Sequence, residues 1–189
     1  MAYPNPSSYV PLIIGKVDGP TLTAAAAASC IPTSERLILP NNYWTVGKSW
    51  KVLLQGRISC VVTTPGTARF DLRTGPSGTI VAFDTGALNL NTVAKTTVPF
   101  WMEIDLVCRT VGSGTGTTLF GMGRFTSEAV VGAPLPSAGG NGSLLCPVSA
   151  PAVGTGFDNT AANAVDFFFT QTVATGSMTV HNYQIWESI

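Results

Sequence analysis

The chain has 189 residues, ten Lys and Arg against ten Asp and Glu, and only 11% of its residues are charged, where a soluble domain typically carries about 25%. With zero net charge and its Lys and Arg scattered singly, it has no basic stripe to displace counterions from a nucleic acid or to hold an anionic membrane. A positive mean hydropathy of +0.31 without net repulsion points to a subunit that associates by design.

An apolar content of 45% argues against general disorder, and 20 Gly with 13 Pro argue against a mainly helical protein. The length suits one well-buried core. The start, MAYPNPSSYVPLIIGKVDG, lacks the basic opening and continuous apolar stretch of a signal peptide. The run Ala24 to Ala28 falls far short of the roughly 20 residues of a spanning helix. Synthesis in the cytoplasm and no membrane contact are therefore expected.

Residues 1–35 read as an extended arm, because Pro4, Pro6, Pro11 and Pro20 keep the backbone open. Within it, Tyr9, Val10, Leu12, Ile13 and Ile14 are costly to leave in water, at roughly 1.5 to 3 kcal/mol per side chain. Two readings stand side by side: an arm packed on a neighbouring subunit, or an extra edge strand on the chain's own body. Residues 36–189 read as that body.

Tyr43 and Trp44 precede the first long strand and are candidate interface aromatics. In SWKVLLQGRISCVVT, the residues Trp50, Val52, Leu54, Ile58, Cys60 and Val62 share one face, with Lys51, Gln55, Arg57, Ser59 and Thr63 mostly on the other. Alternation of this length predicts an antiparallel strand with one face on a core. Gly56 inside it suggests a bulge or a closely approaching backbone.

ARFDLRTG places Ala68, Phe70 and Leu72 inward and Arg69, Asp71 and Arg73 outward, and TIVAFDTGAL reads as a second short strand. In VPFWMEIDLVCRTV, the inward set is Val98, Phe100, Met102, Ile104, Leu106 and Cys108, while Trp101 lies on the opposite face. GSGTG then turns the chain into TTLFGMGRFTSEAV, closing a hairpin. The stretch from about Val131 to Gly156 reads as a long surface excursion.

Two last strands meet near Ala174 to Ser177. Phe167, Phe168 and Phe169 put rings on both faces of the first, which suggests cover on both faces and makes Phe168 a candidate interface residue. In the second, Met178, Val180 and Trp186 are expected on one face and Thr179, His181 and Glu187 on the other. About eight strands with regular turns predict an all-β, antiparallel two-sheet sandwich, jelly-roll-like as the leading topology and immunoglobulin-like as the competitor.

Chemistry is sparse. Cys30, Cys60, Cys108 and Cys146 are far apart, and His181 is the single imidazole, so buried reduced thiols are expected rather than a metal site. Glu103 and Asp105 lie two apart on one strand face, with Arg109 further along and Arg57 across the sheet. They suit cross-strand ion pairs better than a glycosidase pair. No GxSxG elbow or phosphate loop is present. Asn141-Gly142-Ser143 fits a glycosylation acceptor pattern, and Asp158 with Asn159 suits a turn better than a calcium site. No cofactor and no catalytic residue are expected.

The segments GRISCVVTTPGTARFDLRTGPSGTIVAFDTGALNLN, VPFWMEIDLVCRTVGSGTGTTLFGMGRFTSEAV and APAVGTGFDNTAANAVDFFFTQTVATGSMTVHNYQIWES together resemble a group of tailed-bacteriophage virion proteins. The resemblance covers most of the chain after about residue 33. It implies a non-enzymatic jelly-roll subunit, commonly trimeric, that decorates capsids or builds tails and fibres. The expected place is the virion surface, and the expected partners are further copies of the chain and the major capsid or tail proteins. The leading expectation is a capsid decoration (cement) subunit. The alternative is a minor tail or fibre protein that binds host-surface glycan through an aromatic patch near Trp44 or Trp101.

Overall fold

The computed structural model describes residues 9–61, 64–131, 142–174 and 176–188. Pro4, Pro6, Val62, Thr63 and Asn141, all named above, lie outside the described residues. In chain order the strands are β1 (Tyr9–Ile14), β2 (Ala28–Ser29), β3 (Leu37–Leu39), β4 (Ser49–Cys60), β5 (Thr67–Thr74) and β6 (Ile80–Asp84). They continue as β7 (Leu88–Asn89), β8 (Lys95–Thr110), β9 (Thr118–Ser127), β10 (Gly142–Cys146), β11 (Asn163–Gln171) and β12 (Ser177–Ser188).

One sheet runs β1-β12-β4-β8-β9-β10 and the other β2-β11-β5-β6, with β3 added to β11 and β7 to β5. Every pairing is antiparallel, and the two sheets make a jelly-roll-like sandwich. Among the described residues there is no α-helix, only a 3-10 turn at Thr33–Glu35. The strands beyond the eight expected include β2, β3 and β7, which are two or three residues long and too short to show alternation.

The core fills the space between the sheets. Phe70 of β5 meets Phe100 of β8, Phe125 of β9 and Phe169 of β11, with ring centroids 5.5, 5.3 and 5.1 Å away. β4 and β8 alternate as their sequences predict: Trp50, Val52, Leu54 and Ile58 are buried, as are Phe100, Met102, Ile104 and Leu106. Gly56 sits where the β12 backbone comes close, since a Cβ there would meet the Thr179 carbonyl oxygen and lie 2.9 Å from Val180 Cα. The four cysteines are all buried and free, each a small hydrophobe in the core.

Of the two readings of the first 35 residues, the described part takes the edge-strand form. β1 pairs with β12, with an irregularity between Pro11 and Ile13. Further on, Leu22 bridges Met178, and Cys30 and Ile31 are buried. Tyr9, Val10 and Ile14 remain exposed, while Leu12 and Ile13 pack partly against the core.

Three expectations need correction. The stretch after Val131 is not an excursion throughout, because β10 pairs with β9 and buries Leu144 and Cys146. Its five residues are flanked by Gly, Ser and Pro, which hide so short an alternation. Asp71 does not face solvent. It is buried between Arg69, 2.8 Å away, and Arg73, 2.8 Å away, which neutralise it. Finally, the register of β12 shifts between Val180 and Asn182, so His181 is an extra residue. This bulge reverses the faces beyond it: Met178, Val180, Tyr183 and Ile185 are buried, and Trp186 turns to the outer face.

Candidate functional site

The outer face of the β1-β12-β4-β8-β9-β10 sheet holds the surface of greatest interest. Its middle is built on β4, β8 and β12, whose outward side chains follow from the same alternation that buries their partners. Trp101 is 44% exposed there. Gln55 is its cross-strand neighbour on β4, and Asn182 is the neighbour of Gln55 on β12.

Trp101 stands between two hollows. One, of about 590 Å³, is lined by Gln55, Arg57, Pro99, Glu128, His181 and Asn182. The other, of about 470 Å³, is lined by Tyr9, Lys51, Leu53, Glu103 and Trp186. Trp186 is level with Lys51 and Asp105, two strands across and four residues along from Trp101, so the two backbones are about 16 Å apart.

Three amides run across this face. Asn182 Nδ2 donates to Gln55 Oε1 at 2.7 Å, and Gln184 Nε2 donates to Asn182 Oδ1 at 3.0 Å. Some of the nearby charges are held in pairs. Lys51 forms an ion pair with Glu103. That hydrogen bond, helped by the Trp101 indole and the Arg124 charge, holds the Glu103 carboxyl below its ordinary range. Arg57 donates to the Thr97 carbonyl oxygen at 3.0 Å. His181 Nδ1 lies 3.0 Å from Asp18 Oδ2. Glu103 is thus a paired carboxylate, and Asp105 on the same strand is exposed.

Other residues singled out from sequence lie elsewhere. Trp44 is buried, against the expectation of an exposed aromatic. The Asn159 side chain bonds both the N–H and the C=O of Trp44, each at 3.0 Å, and turns its ring onto Trp50, 4.4 Å away. Tyr43 is half-buried, donating to Glu187 at 2.6 Å and accepting from the Trp50 indole at 2.9 Å. Its phenol is pushed above its ordinary pKa by burial and by the Glu187 carboxylate. Phe168 lies on the outer face of the other sheet, half-buried beneath the Arg73 guanidinium, which is 3.9 Å from its centroid.

The structure therefore brings Trp101 and Tyr9 to one surface, leaves Tyr43, Trp44 and Phe168 away from it, and adds Trp186. That addition had a signal in the sequence. The apolar positions 178 and 180 are even, while 183 and 185 are odd, and such a change of parity marks a bulge.

Asp158 accepts from the N–H and hydroxyl of Thr160 at 2.8 and 2.6 Å, closing a turn. Among the described residues no group of three His, Cys, Asp or Glu is placed to hold a metal ion. No described helix is long and apolar enough to cross a membrane.

No protein-family model matches the chain. No curated protein matches it. Among solved structures, the CBM2 module of the evolved Dit of Lactobacillus casei BL23 phage J-1 aligns with 73% of this chain and 69% of that chain. The pair share 13% identity with a TM-score of 0.20, a likeness too slight to carry an argument about fold or function.

Proposed function

We propose that this chain is a structural subunit of a bacteriophage virion, a capsid decoration protein that acts by adhesion and performs no catalytic step. As a homotrimer over junctions of the major capsid lattice, it would tie neighbouring subunits together through many copies. The resemblance of its strands to phage virion proteins and its low charge support this reading.

The observation that carries it is the β1 edge. Among the described residues β1 pairs on one side only, with β12, and it exposes Tyr9 by 48%, Val10 by 41% and Ile14 by 48%. An unpaired apolar strand edge invites a partner chain. Deleting residues 1–30 is not a clean test, because that segment supplies an edge strand and the buried Cys30.

The test is Val10→Lys with Ile14→Lys, both exposed on β1, which leaves the core intact. The purified double variant should remain folded but fail to add to particles that lack the native protein, and those particles should keep their low heat resistance. Full incorporation and restored heat resistance would overturn the reading. A tail or fibre protein that recognises host glycan is the second reading, favoured by the exposed indole of Trp101.

A further inference from the structure

We propose that the outer face of the β1-β12-β4-β8-β9-β10 sheet binds a neutral oligosaccharide, laid across the Trp101 ridge with sugar rings in the hollows on either side. The inference rests on the reading of the chain as a surface adhesion protein and names the ligand class that this face takes.

A sugar ring presents an apolar C–H face and an equatorial rim of hydroxyls. Its binding site therefore needs a flat apolar ring with planar hydrogen-bonding groups beside it. Trp101 supplies the ring, and as part of the sixteen-residue strand β8, hydrogen-bonded to β4 and β9, it is fixed in place. A site on rigid strands loses little entropy when ligand binds.

The amide row supplies the planar groups. Asn182 fixes Gln55 at 2.7 Å, and Gln184 fixes Asn182 at 3.0 Å. Those bonds leave the Gln55 amide N–H groups and the Gln184 carbonyl oxygen for hydroxyls. The second hollow repeats the combination with Trp186, Tyr9 and the Lys51–Glu103 pair.

Charge complementarity decides against an ionic ligand. Lys51 and Glu103 neutralise each other in one hollow, and Arg57 and Glu128 set opposite charges in the other, so neither hollow offers a single sign for an ion to meet. A second protein copy fits less well, because amides and an ion pair interrupt the apolar surface between the two indoles. Each hollow falls within the roughly 300 to 1,000 Å³ usual for small-ligand sites.

The experiment titrates the purified full chain with soluble hexasaccharides of glucose, galactose, rhamnose and N-acetylglucosamine, followed by tryptophan fluorescence and calorimetry. At least one should bind, and Trp101→Ala and Gln55→Ala should each weaken it about tenfold or more, equivalent to about 1.4 kcal/mol. Ile38→Ala, at an exposed position on β3 beside the other sheet, should leave affinity unchanged. No binding by any of the four, or equal affinity in Trp101→Ala, would overturn the proposal. So would concentration-dependent self-association lost in Trp101→Ala and unaffected by sugar, which would assign the face to a second copy. Sugar binding by a chain absent from virions would sink the virion reading alone. A chain that incorporates into virions but binds none of the sugars would sink this inference alone.

Discussion

Replacing Phe70 by Ala tests the sandwich at the point where its sheets meet. Phe70 belongs to the smaller sheet, and two of its ring partners, Phe100 and Phe125, belong to the larger one, 5.5 and 5.3 Å away. Phe→Ala in a core costs about 3 to 5 kcal/mol, and aromatic pairs add about 0.5 to 1.5 kcal/mol each beyond area. With three such pairs lost, the expected loss is at the upper end, about 4 to 5 kcal/mol. That is a large fraction of a total stability of about 5 to 15 kcal/mol. At a urea slope of about 2 to 3 kcal/mol per molar, the unfolding midpoint should fall by about 1.5 to 2.5 M. Phe168→Ala is the control. Its ring is half-buried on the opposite side of β11 and holds one guanidinium, so its loss should cost about 1 kcal/mol. Equal midpoints for the two variants would refute the assignment of faces.

Gly56→Ala would place a Cβ 2.8 Å from Phe100 Cε1 and against the β12 backbone. A loss of about 1 to 3 kcal/mol is expected, with faster amide hydrogen exchange along β12, and unchanged exchange would contradict the close approach. Asn159→Ala removes both hydrogen bonds to the Trp44 backbone. It should cost about 2 to 4 kcal/mol and shift tryptophan emission to the red, whereas an unaltered spectrum would contradict the anchoring role. The four buried thiols should resist a thiol reagent at pH 8 in the folded protein and all react once it is unfolded. Burial raises the Cys146 thiol to about 12 from 9.0. The folded state thus holds protons that the unfolded state releases, so the thiol's contribution to stability is constant below pH 9 and stability should fall between about 9 and 12. A rise in stability over that window, measured by urea unfolding, would contradict the burial of the thiols.

The long strands β4 and β8 were legible because a dozen or more residues of strict alternation admit one structure. Their inward sets, and with them the face carrying Trp101, follow directly. Trp44 was not legible, because it sits in a loop where side-chain direction is set by one distant residue, Asn159. Trp186 was misassigned because a single inserted residue, His181, inverts the period, and the reversal shows only when both halves of β12 are phased separately. Asp71 was hidden for a different reason. A carboxylate at an outward position reads as exposed, and its burial depends on two arginines two residues to either side folding over it.

The most direct measurement is the copy number of this chain per purified virion, by quantitative mass spectrometry against the major capsid protein. Copies in the hundreds, near the number of capsid subunits, are the predicted result. A handful per particle would contradict capsid decoration and place the chain in the tail or a fibre, and none at all would contradict a role in the virion.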